Sequence, residues 1–192
     1  MSENKVVYGL QNVHIAFRDY TEVGTQPIWK TPVAIAGAVK FSPQAQGDSN
    51  TFYADNSAYF VVTANNGYQA ELEMALIPDA ILQEMMGWSV DDNGMLVEEA
   101  DATPKEFALL GQVQGDQKSR RFVYYSCTAQ RPSKEHNTKG ENLDPATDTL
   151  SLTIVPVDIA GKKITKGTLE LNATNATTYN AFFNSVYKPI FE

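Results

Sequence analysis

The sequence is poor in the residues that most often carry chemistry. Among 192 residues there is one cysteine and there are two histidines. One cysteine excludes an intrachain disulfide and a cysteine-rich zinc site. Two histidines leave little room for a histidine metal cluster, and no cofactor is expected. No apolar run approaches the ~20 residues of a membrane-spanning helix. The N-terminal stretch Val6-Val7-Tyr8 is too short for the apolar core of a signal peptide. The expectation is a chain without a membrane anchor that folds in a cytoplasm. Two glycosylation sequons, at Asn172 and Asn175, are then read as chance in a Thr/Asn-rich stretch. Bases are scarcer than acids, 15 against 23, for a net charge of −8. A bare phosphate backbone is repelled by such a chain on average. What is present is an apolar fraction of 43%, ordinary for a folded protein. The length suits a single domain spanning 1–192, and no linker or internal repeat interrupts it.

The dominant hydrophobic period is two. Val13, Ile15 and Phe17 alternate with His14 and Arg18. Over 33–41, Val33, Ile35, Val39 and Phe41 share one face. Tyr68, Ala70, Leu72, Met74 and Leu76 alternate with Gln69, Glu71, Glu73 and Ala75. Similar alternation runs through 107–113 and 149–157, while 120–128 is aromatic and β-branched, which suits a strand. Strict alternation predicts half-buried antiparallel strands, hence a mainly β (α+β) fold of the antiparallel sandwich or barrel kind. Asp92-Asn93-Gly94 between two short apolar runs predicts a hairpin, because Asn-Gly accepts positive φ. Gly115-Asp116 reads as a turn.

Two segments have helical spacing instead. Ile81, Leu82, Met85 and Met86 predict a short helix at 79–86, closed by Gly87. Tyr179, Phe182, Phe183, Val186 and Tyr187 predict a second over 177–187, capped by Thr177 or Asn175 and stopped by Pro189. Two polar stretches, 42–56 and 131–148, predict long loops, which in a compact domain are usually functional.

Charge is uneven. From Glu71 to Glu106 ten acids face one base, Lys105. From Lys118 to Lys139 six bases, among them Arg120, Arg121 and Arg131, face only Glu135. Two readings stand: association between copies, one sign meeting the other, or plain solubility.

Catalytic motifs are missing. There is no G-x-G-x-x-G, no P-loop, no H-E-x-x-H and no C-x-x-C. His14 reads as a strand residue and His136 as a solvated loop residue. Cys127 alternates with Val123 and Tyr125, which predicts a buried thiol. Asp91-Asp92-Asn93-Gly94 lacks calcium-loop spacing. Glu71 and Glu73 lie roughly 7 Å apart at strand rise, but no aromatic sugar platform accompanies them, which disfavours a glycosidase pair. No catalytic, cofactor or metal residue is assigned, and an enzyme is not expected.

Several stretches carry a resemblance. They are Tyr8 to Ala16, Ile35 to Val39, Tyr53 to Tyr59, Gly87 with Asp91 to Gly94, Phe107 to Leu110 with Gly115-Asp116, and Arg131-Pro132-Ser133 with Thr138. In order and spacing the chain resembles the major tail protein (tail tube protein) family of long-tailed, non-contractile phages. The resemblance implies homohexameric rings stacked into a tube, in the virion tail, assembled in the bacterial cytoplasm. The subunit would be a β-sandwich or barrel flanked by a helix. The tube would enclose a tape-measure protein, end at a tail terminator and pass DNA without binding it specifically.

On that footing Glu71 and Glu73, on the polar face of the best-patterned strand, are expected to line the lumen. An acidic or neutral wall lets DNA slide where a basic one would hold it. Phe52, Tyr53, Arg120, Arg121 and Arg131 are expected subunit contacts, as are the arms at 1–6 and beyond Pro189. The competing readings are another virion part, such as a terminator or capsid decoration protein, or a soluble β-sandwich binding module. The latter is opposed by tryptophans far apart, at 29 and 88, and by Tyr124 and Tyr125 pointing to opposite faces.

Overall fold

The computed structural model describes residues 8–21, 26–54, 56–116, 118–134 and 146–191. The first half comprises β1 (Leu10–Asp19), β2 (Ile28–Trp29), β3 (Val33–Ala34), β4 (Ala38–Gln46), β5 (Ser49–Ala54), β6 (Ser57–Thr63), β7 (Gly67–Met74) and α1 (Asp79–Met86). The second half comprises β8 (Ser89–Val90), β9 (Leu96–Val97), β10 (Phe107–Val113), β11 (Arg121–Ala129), β12 (Asp148–Ile154), β13 (Val157–Ile159), β14 (Lys162–Ile164), β15 (Lys166–Leu169) and α2 (Ala176–Asn180). The mainly-β, antiparallel expectation holds.

The main sheet runs β2-β1-β10-β11-β12-β7-β4, with β15 added to β11 and β3 to β1. Every pairing is antiparallel. The sheet curls until β4 approaches β1. Its inward side chains then form one core: Val13, Ile15 and Phe17 from β1, Phe107 and Leu109 from β10, Leu72 and Met74 from β7, Leu150, Leu152 and Ile154 from β12. α1 plugs this core with Ile81, Leu82, Met85 and Met86, all buried. Each such side chain contributes about 1.5–3 kcal/mol of burial. Gly87 ends α1 in the left-handed region at φ 71, donating its N–H to the Gln83 carbonyl.

A second core lies on the opposite face of β1, β10 and β11. It gathers Ala16, Ala108, Leu110, Val123, Tyr125, Ile159, Phe182 and Val186. Strands β10 and β11 are therefore buried on both faces, which is why they read as near-continuous apolar runs. The cover is the β13–β14 hairpin and the C-terminal segment. The Tyr125 hydroxyl donates to the Tyr187 carbonyl at 2.9 Å and fastens that segment.

Three expectations need correction. The C-terminal apolar residues are buried as read, but the α-helix covers only 176–180. Beyond it the Phe182 and Asn184 N–H groups reach back three residues, to Tyr179 and Ala181. Asn180, Asn184 and Ser185 are poor helix formers, and packing sets this path. The stretch 42–56, expected as a long loop, is mostly strand: β4 and β5 form one side of a long hairpin and β7 and β6 the other. Cys127 is buried, but not with Val123 and Tyr125. A register shift between Leu109↔Tyr124 and Phe107↔Cys127 inserts a bulge. Cys127 then joins Tyr124 in the first core. A similar shift between Ala38 and Lys40 turns Val39 outward.

Residues 33–41 form two strands rather than one, split at 35–37. The 79–86 helix, the Asn-Gly hairpin (β8–β9) and the strand at 107–113 stand as read. Residues 135–145 of the second expected loop, with His136 and Lys139, lie outside the described residues.

Burial pushes the Tyr124 hydroxyl up to about 12, with Tyr68 and Cys127 adding to the effect. The unfolded chain ionises a tyrosine near 10. The contribution is thus intact below about pH 10 and is lost as pH rises toward 12. Urea midpoints measured from pH 8 to 11 are expected to fall more gently in Tyr124→Phe than in the parent. Parallel curves would contradict the assignment.

Candidate functional site

Among the described residues no cluster of catalytic groups stands out; the candidate sites are surfaces. The first is the outer face of the β4–β7–β12 half of the sheet. Register places Lys40, Glu73 and Thr149 in one row, Ser42, Glu71 and Ser151 in the next, and Gln44, Gln69 and Thr153 in a third. Thr128 of β11 extends the third row. Every residue here is polar and at least partly exposed, and no described element covers them. Glu73 accepts a hydrogen bond from Thr147 at 2.7 Å, and Gln69 donates to Thr153 at 3.1 Å. Glu71 and Glu73 thus lie side by side on one broad, weakly charged face, as the alternation predicts.

The second surface is the hairpin. β4 and β7 pair to Gln46↔Gly67. The ladder continues through Asn66 N–H to Gln46 O and Ala64 N–H to Asp48 O. It then passes into β5–β6, which pairs with no other described strand. The outer part is an arm with a register shift between Phe52↔Phe60 and Tyr53↔Ala58, so Tyr59 is the extra residue of a bulge. Tyr59 and Phe60 are 73% and 60% exposed. Phe52 pairs with Phe60 and Tyr53 with Ala58; the side chains of Phe52 and Tyr53 lie outside the described residues. The arm aromatics at 59 and 60 escaped the sequence reading, although the Ala-Tyr-Phe-Val-Val run marks a strand.

The third feature is a groove of about 400 Å³ between the free edge of β4 and the strands β1, β10, β11 and β15. Phe41, Phe122 and Tyr124 form its floor. Phe41 stacks on Phe122 (5.8 Å, 9° between planes) and meets Tyr124 edge-on at 5.2 Å. Gly111 makes room for this floor, since a β-carbon there would come within 2.5 Å of the Phe122 ring. Arg120 and Lys166 stand at the rim. Only the aromatic density of 122–125 hinted at the floor; its partners come from strands distant in sequence.

The three arginines expected at subunit contacts are each engaged within the chain. Arg120 is bonded to Asp116, a carboxylate also held by the Lys118 and Arg120 backbone N–H groups. The Arg120 guanidinium holds the Asp116 carboxyl below its ordinary value, against the opposite pull of burial. Arg121 lies over the Tyr179 ring at 3.9 Å and the Phe183 ring at 4.8 Å, and donates to the Tyr179 carbonyl. Arg131 pairs with Glu98 at 3.0 Å, both exposed. The basic and acidic stretches thus already meet inside one chain.

His14 stacks on Phe183 at 4.5 Å and takes part in the C-terminal cover. Among the described residues no group of three or more His, Cys, Asp or Glu side chains is placed to hold a metal ion. No described helix is long and apolar enough to cross a membrane.

No known family model and no curated protein matches this chain. A chain in the cryo-EM structure of the anti-feeding prophage (AFP) baseplate, 6-fold symmetrised, is similar to it. The two are 11% identical, 88% of this chain and 98% of that chain are covered, and the TM-score is 0.47.

Arg121 clamps the C-terminal segment through its flat guanidinium. Arg121→Ala is expected to lower stability by about 1–3 kcal/mol, read as a urea midpoint. Arg121→Lys should recover less than half of that, because an ammonium neither stacks nor forks. Full recovery by lysine would show that charge alone matters there.

Proposed function

We propose that the chain is a structural virion subunit, a tail tube protein that polymerises with copies of itself into stacked hexameric rings. The tube conducts phage DNA, encloses a tape-measure protein during assembly and is closed by a terminator. The observation that carries this reading is the arm. A two-stranded hairpin alone is at best marginal in water. This one extends past its sheet with two large aromatic side chains exposed on consecutive positions. Such a segment gains its stabilisation from a partner, and copies of the same chain are the partner that a ring offers. The sequence resemblance supports the same reading.

The uncovered polar face suits a lumen wall. Its side chains are mainly Ser, Thr and Gln with Glu71, Glu73 and Lys40, so a passing phosphate backbone meets neutral hydrogen-bonding groups, two carboxylates and a single ammonium paired across strands with Glu73. Salt-dependent trapping, which needs clustered cations, is avoided.

Replacing 49–63 by an Asn-Gly turn between Asp48 and Ala64 removes the arm just beyond the Ala64 N–H to Asp48 carbonyl bond. The variant is expected to keep its circular dichroism and urea midpoint and to form no tubes in the electron microscope. Tubes of ordinary diameter from this deletion would sink the proposal. In tubes of Glu71→Lys with Glu73→Lys, DNA is expected to be retained at low salt and released as salt rises. Retention equal to the parent at every salt concentration would place these positions away from the DNA path.

A further inference from the structure

The arm and the groove share a chemistry that neither explains alone. The arm from Gln44 to Asn66 carries two charges, Asp48 and Asp55, both negative. Among its described side chains, the large exposed apolar groups are the rings of Tyr59 and Phe60. The groove has an aromatic floor of Phe41, Phe122 and Tyr124, and its rim carries Arg120 and Lys166. The one carboxylate in the lining, Asp116, is itself bonded to Arg120. The groove is thus aromatic and net cationic, and the arm aromatic and anionic.

From this complementarity we infer that the groove is the receptor for the β5–β6 arm of a second copy of the chain, with Tyr59 and Phe60 seated on the Phe41–Phe122–Tyr124 floor. The partner follows from the subunit reading above, and the groove assigns its docking place.

Geometry supports the seat. The groove follows the free edge of β4, where Pro43 removes one backbone donor. That blunts indiscriminate pairing between edges and leaves side chains to decide what binds. A volume of about 400 Å³ lies in the range that encloses a compact ligand, enough for an aromatic side chain on a floor of rings. Aromatic pairs in offset or edge-on contact add about 0.5–1.5 kcal/mol beyond their burial. The bulge at Tyr59 turns that ring away from the ordinary alternation, so two neighbouring residues can offer rings to one surface. The anionic residues of the arm then approach Lys166 and Arg120 rather than the acidic 71–106 stretch.

Cross-linking between full-length chains tests the seat. One preparation carries Ser57→Cys, two residues from the rings, and the other Thr168→Cys, both exposed positions; native Cys127 is fully buried and does not compete. The two are mixed at high concentration, treated with a short bis-maleimide and run on a denaturing gel, while electron microscopy scores rings and tubes. A Thr128→Cys partner, on the polar sheet face, is the control. Docking raises the effective concentration, so at least roughly tenfold more 57–168 dimer than 57–128 dimer is expected. Rings or tubes without a 57–168 dimer would overturn the seat and leave the subunit reading standing. The dimer without rings or tubes would uphold the seat and count against the tube. No assembly and no dimer would overturn the seat as well, since a second copy would not be the occupant. Lys166→Glu in the Thr168→Cys chain should reduce the dimer severalfold, and an unchanged yield would show that charge plays no part.

Discussion

Strands β10 and β11 are buried on both faces, and the rest of the molecule is arranged to supply the two covers they require. On the inner side the sheet curls back on itself and α1 fills the remaining gap with Leu82, Met85 and Met86. On the outer side the chain spends its last segment, from β13 to Val186, closing over Ala108, Leu110, Val123 and Tyr125. Arg121 and Tyr125 fasten that segment by a ring-stacked guanidinium and a hydroxyl bond to Tyr187. A packed interior of this kind resists loss of either cover, because each exposes apolar surface worth about 25 cal/mol per Å².

The second half of the sheet follows from that allocation. No described segment covers the outer face of β12, β7 and β4, and these strands alternate. They do so strictly: Leu72, Leu150 and Leu152 inward, Glu71, Ser151 and Thr153 outward. Beyond Gln46 and Gly67 even the inner face runs out of core, and the hairpin becomes an arm. One chain thus offers a smooth polar face and a projecting aromatic arm without disturbing its interior.

What could be read from the sequence tracks this division. Strands with one wet face, such as β7 and β12, declare themselves by alternation. α1 declares itself by helical spacing and its glycine stop. The C-terminal segment was read correctly for burial and too generously for helix, because burial at Tyr179, Phe182 and Val186 needs only turns that return to the same surface. Bulges were invisible: a single inserted residue in β11 moved Cys127 to the other core, and period-two reasoning has no way to count it. The first side of the arm was hidden by the polar run from Ser42 to Thr51, which reads as loop, although the Ala-Tyr-Phe-Val-Val run on the second side marks a strand. The groove was hidden by topology, its lining drawn from five strands between Leu10 and Thr168.

The arm's weakness as a monomeric element is what suits it to assembly. A partner that seats it must offset the entropy of ordering its side chains, about 0.5–1.5 kcal/mol for each one fixed. Tyrosine and phenylalanine keep that cost low, since each has two torsions and a large contact area. In the proposed ring, affinity per arm could stay modest while copies, each giving one arm and receiving another, gain stability through repetition. Modest pairwise affinity would also keep free subunits from sticking at random, because one arm in one groove closes nothing. The same proposal gives a reason for the low charge of the polar face. A ring would multiply every side chain by the number of copies, so Glu71 and Glu73, offset only by Lys40, would already make a negative lining, and more carboxylates would repel neighbouring subunits.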